Sequence, residues 1–263
     1  MLTPMVFISH GALDIVLKTG SPTLEYWQTL GQTLPRPQAI VLVSAQWTTN
    51  VPTFSTAEEP ETLHDFEHFP DVLYQMQYPA HGAPDLSQAL ATCLIKAQIP
   101  LHWDPNRGLD HGAWIPLQVM YPQADIPVAQ LSIQAHEGPA WHLHLGAALR
   151  PSREQGIMII ATGAVTHNVD WLSKTKKPFP KAKAFSEWLQ ATMSNRDIPA
   201  LLNYRHLAPY GAEAHPTEEH LLPLFVALGA SYDHDQLTHA NPEYTHGGLA
   251  MDVYVWEATD HLQ

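Results

Sequence analysis

Three short runs of unbroken apolar residues, at 5–9, 39–44 and 157–161, constrain this chain most. None alternates apolar with polar, so each reads as a strand buried on both faces, the pattern of a parallel sheet covered by helices. Each delivers a polar side chain just past its end: His10, Gln46 and, after a Gly-containing turn, His167. In open α/β sheets, ligands bind beyond the carboxyl ends of the strands. Imidazoles gathered there are ordinary metal donors, so the pattern predicts a metal-centred enzyme. One of the three positions carries an amide.

Helical patterns alternate with these runs, which predicts an α/β fold: one domain over 1–263, with a central, mostly parallel mixed sheet flanked by helices. Pro22 and Thr23 open a helix to about 34, with Leu24, Trp27 and Leu30 on one face. Asp85 reads as the N-cap of a helix through 98. Further helices are expected at 138–149 and 181–193, and a last one includes 221–228, closed by Gly229, with Pro223 kinking it or marking its start. Residues 101–103, 128–132 and 248–256 complete the expected strands.

Lys and Arg total 13 against 26 Asp and Glu, a formal charge of −13. That balance argues against nucleic-acid or anionic-membrane partners. The single cysteine, Cys93, excludes an internal disulfide and a cysteine-based zinc cluster, and its apolar surroundings predict a buried, inert thiol. Met1-Leu2-Thr3-Pro4 lacks the basic and apolar parts of a signal peptide, and no run approaches the roughly 18 apolar residues of a membrane span. A cytoplasmic protein is expected. The number of subunits is not legible.

Five segments carry chemistry: Ser9-His10-Gly11-Ala12, Val43-Ser44-Ala45-Gln46-Trp47, Gly108-Leu109-Asp110-His111-Gly112-Ala113-Trp114, Thr166-His167-Asn168, and His215 to His220 followed by Leu221-Leu222-Pro223-Leu224. Singly, each is a weak signal. In this order and spacing they resemble the 4,5-DOPA extradiol dioxygenases, a branch of the class III extradiol ring-cleavage dioxygenases. The likeness extends to the framework segments 34–40 and 124–132.

The resemblance implies one divalent metal at the mouth of the sheet, Fe(II) for turnover, with zinc able to occupy the site. It places His10, Gln46 and His220 at ligand positions, and His167 close enough to bind the metal and to act as acid/base. His111 matches a histidine that contacts substrate or oxygen, while His64 and Trp47 fall in segments expected to touch substrate. The implied partners are a small catechol such as DOPA and O₂. Neutral imidazoles suit such metals, and a histidine titrating near neutrality can take and return a catechol proton.

The family pattern is Ser-Ala-His-Trp where this chain has Ser44-Ala45-Gln46-Trp47. An amide oxygen is a far weaker ligand than an imidazole for these metals. Three readings follow: a weakened centre on His10, His167 and His220 with Gln46 or water beside them; an impaired catechol-binding homologue or a zinc-dependent hydrolase in the same pocket; or relocation of the ligand to His68 or Glu67, which stand at family glycine positions. Leu13 replaces a family proline, a tolerated loop change. Glu218 and Glu219 are either partners for His220 or helix-start acids. Lys174 to Lys177 read as a solvated loop or a partner for a substrate carboxylate, and His142 and His144 as surface residues of their helix. His234, His239 and His246 match no ligand position.

Overall fold

The computed structural model describes residues 2–175 and 177–259. Its three all-buried runs lie side by side at the centre of one mixed sheet. In chain order the strands are β1 (Met5–Ser9), β2 (Ala39–Thr48), β3 (Thr53–Ser55), β4 (His102–Asp104), β5 (Val128–Ile133), β6 (Ile157–Gly163), β7 (Asp235–Ala240), β8 (Tyr244–Thr245), β9 (Leu249–Ala250) and β10 (Val253–Ala258). Among the described residues, eight of them form the sheet in the order β4-β3-β5-β2-β6-β1-β10-β7, and β8 pairs with β9 apart from it. β5, β2, β6 and β1 are parallel neighbours, whereas β10 and β7 close one side antiparallel.

The helices are α1 (Pro22–Thr33), α2 (Asp71–Gln75), α3 (Pro84–Lys96), α4 (His111–Met120), α5 (Pro139–Leu149), α6 (Pro180–Ser194), α7 (Ile198–Leu202), α8 (Tyr204–Leu207), α9 (Gly211–Ala214) and α10 (Leu222–Ala230). Proline stands in the first turn of α1, α3, α5, α6 and α10, where its missing N–H leaves no hydrogen bond unmade. Alternate strand residues feed two cores. Met5, Phe7, Val41, Val43, Ile159 and Ala161 pack with Phe225 and Leu145 on one face. Val6, Ile8, Ile40, Leu42, Met158 and Ile160 pack with Trp27 and Trp114 on the other. Period-two alternation explains the division, and helices on both faces explain why no polar residue interrupts the runs.

Several expectations need correction. β2 continues past 44, so Gln46 and Trp47 lie within the strand, beside a register irregularity against β5 between Val43 and Thr48. His111 opens a helix, α4, and β3 and β7 join the sheet, none of which the sequence pattern predicts. The closing strand is broken at Met251–Asp252, because the buried Asp252 carboxylate turns to receive Ser186, His239 and Asn241. Ala83, not Asp85, is the N-cap of α3.

Gly229 lies inside α10 rather than after it. A Cβ there would meet the Leu143 carbonyl oxygen at 2.0 Å, and one on Gly146 would meet that of Val226 at 2.0 Å. The two glycines therefore let α5 and α10 touch backbone to backbone. Pro223 marks the start of α10. His142 is fully buried, its Nδ1–H donating to the Gly138 carbonyl at 2.9 Å and its Nε2 accepting from the Gln134 N–H at 3.2 Å. Only His144 is exposed as expected. Cys93 is partly buried against the core. Among the described residues, no helix is long and apolar enough to cross a membrane.

Candidate metal and substrate site

Strand register brings the ends of the central strands to one level: Ser9 pairs with Gly163, and Ser44 with Thr162. His10 follows β1 directly, and its N–H donates to the Gly163 carbonyl at 2.9 Å. The segment after β6 turns back over this edge, pinned by the Val165 N–H to Ser9 Oγ at 3.1 Å and the His167 N–H to the Ala214 carbonyl at 3.0 Å. The chain entering α10 crosses at Gly163, where a Cβ would sit 2.1 Å from the His220 carbonyl oxygen. Only glycine permits that crossing. Buried His215 ties the same region together through Nε2–H to the Val165 carbonyl at 2.8 Å.

These placements gather His10, Gln46, His111, His167 and His220 around a cavity of about 170 Å³. The His10 ring lies 5.6 Å from that of His111, edge to face, and 6.0 Å from that of His220. The His167 and His220 rings are stacked at 3.5 Å, only 8° from parallel. Such close stacking suits neutral imidazoles. Burial, reinforced by the neighbouring His220, pushes His167 down to about 4. Burial, then repulsion from His111 and His220, holds His10 well below the ordinary histidine value.

His10 Nδ1–H donates to the Gly11 carbonyl at 2.9 Å, which leaves Nε2 as the lone-pair nitrogen. That nitrogen is buried without a hydrogen-bond partner, an orphan of the kind a metal ion satisfies. His220 differs. Its Nδ1–H donates to Glu219 at 3.2 Å, and its Nε2 accepts from the Gln46 amide at 3.2 Å. The hydrogen bond from His220 draws Glu219 down to about 2, against the opposing effect of burial. Gln46 therefore occupies the nitrogen that would face a metal.

Among the described residues, no group of three or more His, Cys, Asp or Glu side chains is arranged to hold a metal ion. As placed, the orphaned His10 nitrogen fits a metal, and the remaining donor set does not.

His111 is held from behind by a residue the sequence reading did not single out. Asp65 accepts both the His111 backbone N–H, at 3.1 Å, and its Nδ1–H, at 2.9 Å. Burial pushes the Asp65 carboxyl up, but the hydrogen bond and charge of His111 outweigh it and keep it below the ordinary carboxylate value. The tautomer so fixed leaves His111 Nε2 as an acceptor on the cavity side. Asp65 lies one residue after His64, but an acid in an exposed-looking loop carries no sign of its partner. Behind it, the buried Asp110 caps α4 through the Ala113 N–H at 3.1 Å and receives Ser44 Oγ at 2.7 Å, Arg107 at 2.6 Å and Gln130 at 3.2 Å. Ser44 Oγ also accepts the Gln46 N–H at 3.1 Å, so one buried carboxylate positions both Gln46 and His111.

Three expected contacts lie elsewhere. Trp47 points away from Gln46, as strand alternation requires, and its ring carries the Arg107 guanidinium at 4.9 Å. His64 is spent on the Met76 carbonyl at 3.0 Å and packs among Phe66, Tyr74 and Trp114, a layer behind the cavity. His68 is 94% exposed, with its loose Glu67 partner 88% exposed, and neither lines the cavity. Relocation of the missing ligand to this loop has no geometric support.

With the cavity placed at the strand ends, comparison with known proteins decides the family. A protein-family model described as the catalytic LigB subunit of aromatic ring-opening dioxygenase matches residues 4–253. The chain belongs to that family. It is 41% identical over 255 residues to the 4,5-DOPA dioxygenase extradiol of Escherichia coli strain K12, covering 94% of this chain and 92% of that protein. It is 34% identical to the 4,5-DOPA dioxygenase extradiol of Beta vulgaris, covering 96% of each. A crystal structure of an uncharacterized Escherichia coli K12 protein superposes with TM-score 0.81 at 37% identity, covering 96% of this chain and 99% of that one. These matches make the chain a class III extradiol dioxygenase by membership, a group whose members are metal-dependent and use O₂ on small molecules.

Proposed function

We propose that this chain is an extradiol ring-cleavage dioxygenase acting on a catechol, with a metal centre weakened by Gln46. The carrying observation is the 3.2 Å contact from the Gln46 amide to His220 Nε2. Family membership supports the reaction class, and the relatives' names supply DOPA as the first substrate to try. His10 is the candidate ligand as placed, and His220 would join it only once the Gln46 amide releases its Nε2, with His167 and either Gln46 or water completing the set; Fe(II) is the candidate for turnover, and zinc for simple occupancy.

Two side chains would also act on the substrate directly, His111 and, besides its candidate ligand role, His167. His111 Nε2 accepts a hydrogen bond from a catechol hydroxyl and is oriented by Asp65. His167 is the candidate to take and return the catechol proton, and burial, which pushes it down to about 4, makes it a weak base for that step. The proposed localisation is the cytoplasm. Metal content and oxygen uptake with DOPA and simple catechols, for the native chain and for Gln46→His, test the reading. Stoichiometric Fe(II) and equal rates in the two proteins would refute a weakened centre. Tight catechol binding without oxygen uptake in either would reassign the pocket to a binding role.

A further inference from the structure

The break in the closing strand at Met251–Asp252 lies against the turn that carries His10. The Asp252 carbonyl accepts the Ser9 N–H at 3.0 Å. The Met251 side chain fills the place of a Gly11 side chain, since a Cβ there would lie 2.7 Å from Met251 Cε and 2.8 Å from Sδ. Gly11 stands at φ +67°, a left-handed conformation that glycine adopts without strain, and its carbonyl accepts the His10 Nδ1–H. The residues before the break reach the second histidine turn. Thr166 Oγ1 donates to the Gly248 carbonyl at 2.7 Å and accepts the Ala250 N–H at 2.9 Å, next to His167. Residues 248–252 thus form a strap against both turns. The strap is anchored by the fully buried Asp252 carboxylate, which accepts Ser186 Oγ of α6 at 2.9 and 3.1 Å. It also accepts His239 Nε2–H of β7 at 2.7 Å and the Asn241 amide at 3.0 Å. Neither Asp252 nor any of its three donors lines the cavity.

We propose that Asp252, held by His239, Asn241 and Ser186, is a positioning residue for His10. A buried carboxylate is stable only where donors meet its lone pairs, so these three side chains fix where the Asp252 backbone sits. That backbone holds Ser9, and the neighbouring Met251 side chain walls in Gly11. With both supports in place, the Gly11 carbonyl stays within reach of His10 Nδ1–H, which leaves His10 Nε2 as the lone-pair nitrogen of the site. Loss of the anchor lets the strap shift, Met251 leaves Gly11, and the tautomer is no longer fixed. The proposal rests on the site at the strand ends and does not depend on which substrate enters it.

The test is nitrogen NMR of the histidine rings in the metal-free full chain, with thermal unfolding alongside. Native His10 is expected to show the Nδ1–H tautomer. In Asp252→Ala and in His239→Ala, the ratio of Nδ1–H to Nε2–H forms at His10 should fall at least about fivefold. The His239 side chain is 17% exposed and Asp252 is not exposed at all, so His239→Ala decides the matter if Asp252→Ala does not fold. His239→Gln, which retains an N–H donor for the carboxylate, should restore the native ratio. His142, whose Nδ1–H is bound to the Gly138 carbonyl in α5, is the control and should keep its tautomer in every folded variant. A native His10 tautomer in His239→Ala with a lowered Tm would make the cluster a stabilising one only, and overturn the proposal. A change at His10 and His142 together would show general loosening, and overturn it as well. Because the readout needs neither metal nor turnover, absence of catechol cleavage would count against the proposed function and not against this role of Asp252.

Discussion

The Gln46 side-chain amide donates to His220 Nε2 at 3.2 Å, while the other nitrogen of the same ring donates to Glu219. Both nitrogens of His220 are thus engaged within the protein, whereas His10 keeps one orphaned. Replacing the amide by an imidazole removes the donor from His220 and adds a ligand. Gln46→His is expected to raise Fe(II) and zinc affinity at least about tenfold. Metal content after dialysis against a graded chelator series measures this, and unchanged retention would contradict it.

His68 points to solvent, so His68→Ala is expected to leave metal retention and catechol turnover within about twofold of native. Loss of metal in this variant alone would revive the relocated ligand.

Asp65 fixes the ring of His111 through two hydrogen bonds to one carboxylate oxygen. In the Gln46→His protein, where metal loading does not obscure the result, Asp65→Ala is expected to lower kcat/KM by roughly 10- to 100-fold with metal content unchanged. Asp65→Asn, which retains an acceptor, should recover part of the loss. Nitrogen NMR of the His111 ring should show the Nδ1–H tautomer in the native chain and a mixture in Asp65→Ala.

Burial lowers His142 to about 4, against an ordinary value of 6.5. Above pH 6.5 the imidazole is neutral in both folded and unfolded chains, and its linkage contribution is flat. Between 6.5 and 4 the unfolded chain takes up a proton that the folded chain refuses, so stability falls as pH falls. His142 alone accounts for about 2 kcal/mol of loss by pH 5. Urea unfolding at pH 7.5 and 5 checks this: His142→Gln should be less stable than native at pH 7.5 and lose less on acidification. An identical loss in both proteins would remove His142 from the account.

The α5–α10 contact tolerates no side chain at Gly229, where an added Cβ lies 2.0 Å from the Leu143 carbonyl oxygen. Gly229→Ala should cost at least about 3 kcal/mol, lowering Tm by roughly 6–12 °C, although alanine is the better helix former. A Tm equal to or above native would show that the helices separate freely.

The sheet was legible because β1, β2 and β6 are buried on both faces, and that condition writes itself into the chain as uninterrupted apolar runs. His10, Gln46 and His167 could be placed near one another for the same reason, since each follows or extends a central strand. β3 is not legible because it is only three residues long, and the edge strand β7 because it is partly buried and carries polar residues along its length. α4 escaped because its apolar residues face core on every side, which removes the helical periodicity.

By itself, then, the sequence determined the α/β class, the family and the histidines at the strand ends, all of them consequences of local pattern and residue order. Tertiary structure alone decided which side chain meets which: that Asp65 holds His111, that His64 and Trp47 face away from the cavity, that His142 is core, and that Gln46 closes on His220. Those pairings join residues up to 174 positions apart, and hydrogen bonds between such distant groups depend on chain crossings that no local periodicity encodes.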